Sequence, residues 1–193
     1  MTPALGSEYQ LEQATLKHFK ALGWETILAE SEQDGDTNIL GRNEHTEVVL
    51  TRYLLPFLKA RYSHIPDSAL LEAITTLSRD RSHMQNIPKA NEEVYRLLKD
   101  GIPVTFNDAT GKKVTERVWV IDWANPEANH FLVVSQMWVA GAMYKKRPDL
   151  IGFVNGIPLL TIELKADDVH VKHAFTDNLT DYKDTIPQLF WYN

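Results

Sequence analysis

Arg147-Pro148-Asp149-Leu150-Ile151-Gly152-Phe153-Val154-Asn155-Gly156-Ile157-Pro158-Leu159-Leu160-Thr161-Ile162-Glu163-Leu164-Lys165 reads as two strands joined by an Asn-Gly turn. The first strand opens on an aspartate, and the second ends with Glu163 and Lys165 two residues apart. Strand side chains alternate faces, so Glu163 and Lys165 point one way while Ile162 and Leu164 point the other, into a core. Two carboxylates and an amine at the edge of a sheet make a hard oxygen site. Such a site suits a divalent cation, and Mg²⁺ typically takes one or two protein carboxylates plus waters and phosphate oxygens.

This reading places a demand on the register. A plain two-residue loop at Asn155-Gly156 pairs Asp149 with Ile162 and turns it away from Glu163. A three-residue loop, or one β-bulge, sets Asp149 directly opposite Glu163. Pro158 has no N–H to give, so the ladder is expected to be irregular just there. The bland alternative is a solvated hairpin with its charges in water. Against it, Leu150, Ile151, Phe153, Val154, Ile157, Leu159, Leu160, Ile162 and Leu164 form near-continuous apolar runs, the mark of strands covered on both faces. Charges ending such strands need partners, and a metal suits two acids at once.

The pattern R-P-D-L-x-x-F-V-N-G-x-P-L-x-x-x-E-L-K resembles the nuclease core of the R subunit of type I restriction-modification enzymes, members of the PD-(D/E)xK nuclease superfamily. The likeness extends outward. Asn129 to Gln136 resembles the family's strand before the metal hairpin, and Ser7 to Glu12 with Leu22-Gly23-Trp24 its opening helix. Ile186 to Asn193 looks like the run leading into the next core strand, as if that strand had been cut off.

The 193 residues suffice for one well-buried domain. The absence of cysteine excludes disulfides and thiolate metal sites and fits a reducing cytoplasm. No apolar run reaches membrane-spanning length, and the start lacks a basic-then-apolar leader, so a soluble cytoplasmic chain with no membrane contact is expected. The net charge of −6 argues mildly against a dedicated nucleic-acid binder, although Lys145, Lys146 and Arg147 precede Asp149 and Lys112 and Lys113 sit on an expected turn. There is no G-x-x-x-x-G-K-[ST] phosphate loop, so the helicase motor and its ATP site are expected to be absent from this chain.

The expected architecture is α/β: a central mixed β-sheet flanked by helices, with a helical insertion at about 44–100, all within one domain spanning 1–193. Helices are expected at 7–22, with Ser7 as N-cap, and at 44–62, with Pro56 kinking or ending it. Two more are expected at 66–78 and 89–99, and one over 167–183 packed on the sheet. Strands are expected at 24–29, 104–107, 114–122 and 130–139 before the metal hairpin.

Several residues are candidates for the site. The resemblance implies that Glu8 adds a carboxylate to the metal; the alternative is a helix N-terminal acid favoured by the macrodipole. Glu12, one turn on, competes for the role. Asn178 and Tyr182 fall where the family often has Q-x-x-x-Y; sharing a helix face, they meet either the DNA backbone or the site, or are plain helix surface. Asn replaces Gln there, a shorter arm with the same amide. Gln136, on an expected interior strand, either braces the site or makes a structural hydrogen bond. The seven histidines show no zinc spacing, and His170 and His173 read as surface.

What the resemblance implies is a Mg²⁺-dependent endonuclease domain hydrolysing double-stranded DNA. Asp149 and Glu163 would hold the metal and Lys165 would act on the attacking water. The methyltransferase and specificity subunits would be partners, the latter supplying sequence recognition. Rival readings are a repair or junction-resolving nuclease of the same superfamily and a non-catalytic docking module that kept the fold.

Overall fold

The computed structural model describes residues 7–35, 38–84, 86–166, 170 and 172–193. Its centre is a four-stranded mixed sheet in the order β1 (Glu25–Leu28), β4 (Phe131–Ser135), β7 (Leu150–Val154), β8 (Ile157–Ile162). β1 runs parallel to β4, and the β4–β7 and β7–β8 pairs are antiparallel. The long excursion between β1 and β4 carries three helices, α2 (Thr51–Arg61), α3 (Asp67–Ser78) and α4 (Ile87–Asp100), then a separate hairpin of β2 (Ile102–Asn107) and β3 (Lys113–Val118). Leu54, Leu58, Leu70, Leu77 and Val94 of these helices join Leu132, Val134, Ile151 and Phe153 of the sheet in one buried cluster. Alternation explains the division of labour. Leu132 pairs with Phe153 and Val134 with Ile151, all facing that cluster. The opposite face meets α1 (Glu8–Ala21), where the tilted rings of Phe19, Trp24 and Phe131 pack with centroids 5.0–5.1 Å apart. Gly152 leaves room there for Trp24 and Leu160.

Most expected elements are present, with Ser7 capping α1 by accepting from Gln10 N. Three differ. The helix expected from 44 begins only at Thr51, because tertiary bonds claim the segment before it: Ala140 N donates to His45 O, and Leu50 N to Gly156 O. Pro56 lies inside α2, which runs on to Arg61. The strand expected to reach Val139 stops at Ser135, since Gln136 takes a left-handed backbone (φ 56°); Val139–Ala140 then forms β5, paired with β6 (Lys145–Lys146). β8 is the edge of the described sheet, and Leu160 is 39% exposed, so the expected cover on both faces holds for β7 and only partly for β8. The helix expected over 167–183 is seen as a π-helical stretch, Ala174–Leu179, running into α5 (Thr180–Thr185); residues 167–169 lie outside the described ones. Residues Pro187–Trp191 form a 3₁₀ helix, with Leu189, Phe190 and Trp191 buried.

The turn that closes the metal hairpin is fixed from several sides. Asn155 (φ 52°) and Gly156 (φ 81°) both take the left-handed conformation that a two-residue type I′ turn requires. Asn155 is fully buried: its Oδ1 accepts from His130 N at 2.7 Å, and its Nδ2 donates to Val120 O and Asn129 Oδ1. Asn155→Ala would strand His130 N and Val120 O in the interior, and is expected to cost on the order of 2–4 kcal/mol in urea unfolding. If that loss stays within experimental error of zero, the clamp is ornamental.

Candidate active site

A two-residue turn alone would misplace Asp149. The register is corrected by a bulge: Val154 pairs with Ile157 and Phe153 with Pro158, but Gly152 pairs with Leu160, leaving Leu159 as the extra residue. From there Leu150 pairs with Ile162, and the next step of the same register sets Asp149 across from Glu163. The irregularity sits beside Pro158, which cannot donate to the ladder. Leu164 N donates to Asp149 Oδ2 at 2.7 Å and fixes the aspartate across the strand end, leaving Oδ1 unpartnered among the described residues.

Around Glu163 the groups converge. Lys165 Nζ lies 3.7 Å from Glu163 Oε1 and 3.8 Å from Glu8 Oε1, and its side chain is 15% exposed. Asn178 Nδ2 donates to Glu163 Oε1 at 2.6 Å, and Tyr182 OH lies 3.3–3.4 Å from both carboxylate oxygens. Helical spacing brings Asn178 and Tyr182 to one face, as expected, and that face meets Glu163. Burial, and next the charge of Asp149, push the Glu163 carboxyl up to about 7, with Lys165 and Tyr182 pulling the other way. Burial likewise raises the Tyr182 hydroxyl.

The two acids of α1 take different places. Glu8 is exposed and faces Lys165. Glu12 is the buried one, and its Oε2 accepts from Gln136 Nε2 at 2.5 Å. Burial raises its carboxyl; the Gln136 bond opposes this, and the charges of Asp149 and Glu30 add to it. Gln136 also donates its backbone N to Asp149 O at 2.9 Å, so one residue ties the opening helix to the aspartate. The left-handed turn that allows this left no trace in an apolar strand pattern. Arg147, read on sequence as part of the basic run before Asp149, bonds Glu30 at 2.9 Å and lies over the Trp138 ring. His170 and His173 are exposed.

Among the described residues no three His, Cys, Asp or Glu side chains form a ready metal cluster. The donor set still fits Mg²⁺, which needs only one or two carboxylates. Asp149 keeps an oxygen free of partners among the described residues, and Glu163 is held beside it at an energetic cost that a cation would relieve. A cavity of about 780 Å³ lies elsewhere, between α3, the segment 140–144 and the end of α5, with Leu71, Ile74, Tyr144 and Trp191 in its walls and none of the hairpin's acids. Size alone is a weaker guide than this convergence of charge.

The family described as type I restriction enzyme R protein N terminus matches residues 6–193. The chain belongs to that family. The HindI type I restriction enzyme endonuclease subunit of Haemophilus influenzae is 31% identical over 191 residues, covering 97% of this chain and 18% of that protein. A Methanocaldococcus jannaschii relative bearing the MjaIXP name is 29% identical over 193 residues, with the same two coverages. The SsaAORF53P type I restriction enzyme endonuclease subunit of Staphylococcus saprophyticus is 25% identical, covering 96% of this chain and 18% of its own length. This R-protein N terminus therefore spans about a fifth of the length of the relatives it matches. Its mixed sheet with helices on both faces is a restriction-endonuclease-like fold. No helix among the described residues is long and apolar enough to cross a membrane.

Proposed function

We propose that this R-protein N terminus is the DNA-cleaving domain of its enzyme, hydrolysing phosphodiester bonds of double-stranded DNA with Mg²⁺. The observation that carries this reading is the bulged register, which brings Asp149 opposite Glu163 with Lys165 Nζ 3.7 Å from the glutamate. Asp149 and Glu163 would hold the ion, and Glu8 is near enough to Lys165 to complete the acidic shell. When bound, Mg²⁺ would supply charge stabilisation at the phosphate and a more acidic water. Lys165 Nζ orients the attacking water and offsets the negative charge that develops on the phosphoryl oxygens. Asn178 and Tyr182 hold the Glu163 carboxylate in place, and Gln136 keeps Asp149 and α1 in one frame. The motor and its ATP site, the methyltransferase and specificity subunits, and the choice of recognition sequence would belong to other parts of the assembly. A cytoplasmic location follows from that role.

Isothermal titration of the chain with Mg²⁺ or Mn²⁺ tests the reading directly. Binding is expected in the parent chain and not in Asp149→Asn or Glu163→Gln. A docking module that merely kept the fold would bind neither ion in any of the three.

A further inference from the structure

The chain carries six more acids than bases, yet one face is rich in cations that no acid neutralises. Lys145, Lys146 and Arg147 are engaged, with His45, Asp181 and Glu30 respectively. On the hairpin β2–β3 and the end of α4 the balance is reversed. Lys99, Lys112, Lys113 and Arg117 have no carboxylate partner among the described residues. Of the neighbouring acids, Glu116 is paired with His64, Asp122 with Arg61, and Glu92 with Lys89 and Arg96, while Asp108 is taken up by the turn it caps and Asp100 stands in the cleft wall.

Aromatic rings stand among these cations in an unusual setting. Trp119 Nε1 donates to Lys99 O at 3.3 Å, and Trp123 Nε1 to Leu98 O at 3.1 Å. Both indoles thus give their polar edges to the last carbonyls of α4, which have no partner within the helix. Trp119 rests on Gly101, where a Cβ would come within 3.0 Å of the ring; Gly101 also has φ +76°, so glycine is doubly required. Even so anchored, Trp119 stays 36% exposed, Trp123 59% and Tyr95 57%. A cleft of about 540 Å³ opens beside Trp119, walled by Arg96, Lys99, Asp100, Gly101, Arg117 and the indole itself. None of the hairpin's site residues borders it.

We infer that this cleft is a second nucleic-acid site, one that takes an unpaired strand. Fixed indole faces stack on exposed bases, whatever their identity, and interleaved cations follow the phosphates. A duplex keeps its bases stacked on each other and offers the rings nothing. The inference goes beyond the proposed cleavage chemistry and does not depend on it.

Titration of the 193-residue chain with a thymidylate oligonucleotide, in EDTA at low salt, tests this through tryptophan emission. Saturable quenching is expected, weakening with salt by about 0.7 in log–log slope per phosphate contact. Trp123→Ala, at an exposed position, is expected to weaken binding about tenfold. Trp119→Phe, which keeps a stacking face, is expected to lose less. Lys99→Ala is expected to lower the salt slope by about 0.7. Absence of quenching, unchanged affinity in Trp123→Ala, or equal binding of a duplex or of polyglutamate would each overturn the assignment. Because the assay reads binding without metal, its failure leaves the hairpin's proposed chemistry untouched.

Discussion

Lys165→Ala in the assembled restriction enzyme is expected to lower DNA cleavage by at least 10²–10³-fold, roughly the loss seen when one preorganised charge-stabilising donor is removed. The reason lies in where the ammonium sits. Its side chain is largely buried, but its charged partners are Glu163 and Glu8, at 3.7 and 3.8 Å. No apolar packing depends on the amine, and the nearby fold is set by other bonds: Asn178 and Tyr182 on Glu163, and Leu164 N on Asp149. The melting temperature of the variant should therefore stay within a few degrees of the parent. ATP hydrolysis and translocation, proposed to reside outside this chain, should largely survive. Cleavage near the parental rate would mean that the amine is a mere counter-ion. A variant that melts far below the parent would place Lys165 in the fold instead. Lys165→Arg sharpens the test, since it keeps the charge but spreads it over a planar fork that cannot occupy the same point.

How far the residues alone led is clearest at the hairpin. Asp149, Glu163 and Lys165 were legible because strand alternation has a period of two, from which the demand for an odd register follows directly. What alternation could not say was how the odd residue would be accommodated. The answer is the bulge and not the three-residue loop: Asn155 and Gly156 make a two-residue turn, and the extra residue is Leu159, beside Pro158, which spoils the ladder there. The miss at Gln136 has a physical origin. A left-handed backbone at a non-glycine residue leaves no mark in a hydrophobic pattern, and its compensation, bonds to Asp149 O and Glu12, comes from segments distant in sequence. The late start of α2 is the same kind of failure, because Leu50 N is claimed by Gly156 O from more than a hundred residues away. Glu8 and Glu12 lie one turn apart, and nothing in periodicity could tell that Glu12 is buried against Gln136 while Glu8 stays exposed beside Lys165.

Removing Asp149 is expected to change how stability depends on both pH and metal, and the two effects share a cause. In the folded chain Glu163 is raised from 4.5 to about 7, first by burial and then by the Asp149 charge. The folded state therefore holds a proton that the unfolded state releases. Metal-free stability is highest below pH 4.5, declines as pH rises from 4.5 to about 7, and is flat above, as far as this group decides it. Asp149→Ala deletes one source of the shift, so its metal-free stability should decline less across that window, and near neutral pH its melting temperature is expected to equal or exceed the parent's. Mg²⁺ reverses the order. At about a hundredfold excess over its dissociation constant, a ligand that binds only the folded state adds about 2.7 kcal/mol. The parent should show that gain at pH 7 and lose it toward pH 4.5, where protons compete for Glu163. The variant, with one of its two proposed oxygen donors gone, should gain clearly less. Equal metal-induced shifts in the two proteins would place the ion elsewhere and leave the facing carboxylates with a structural role alone.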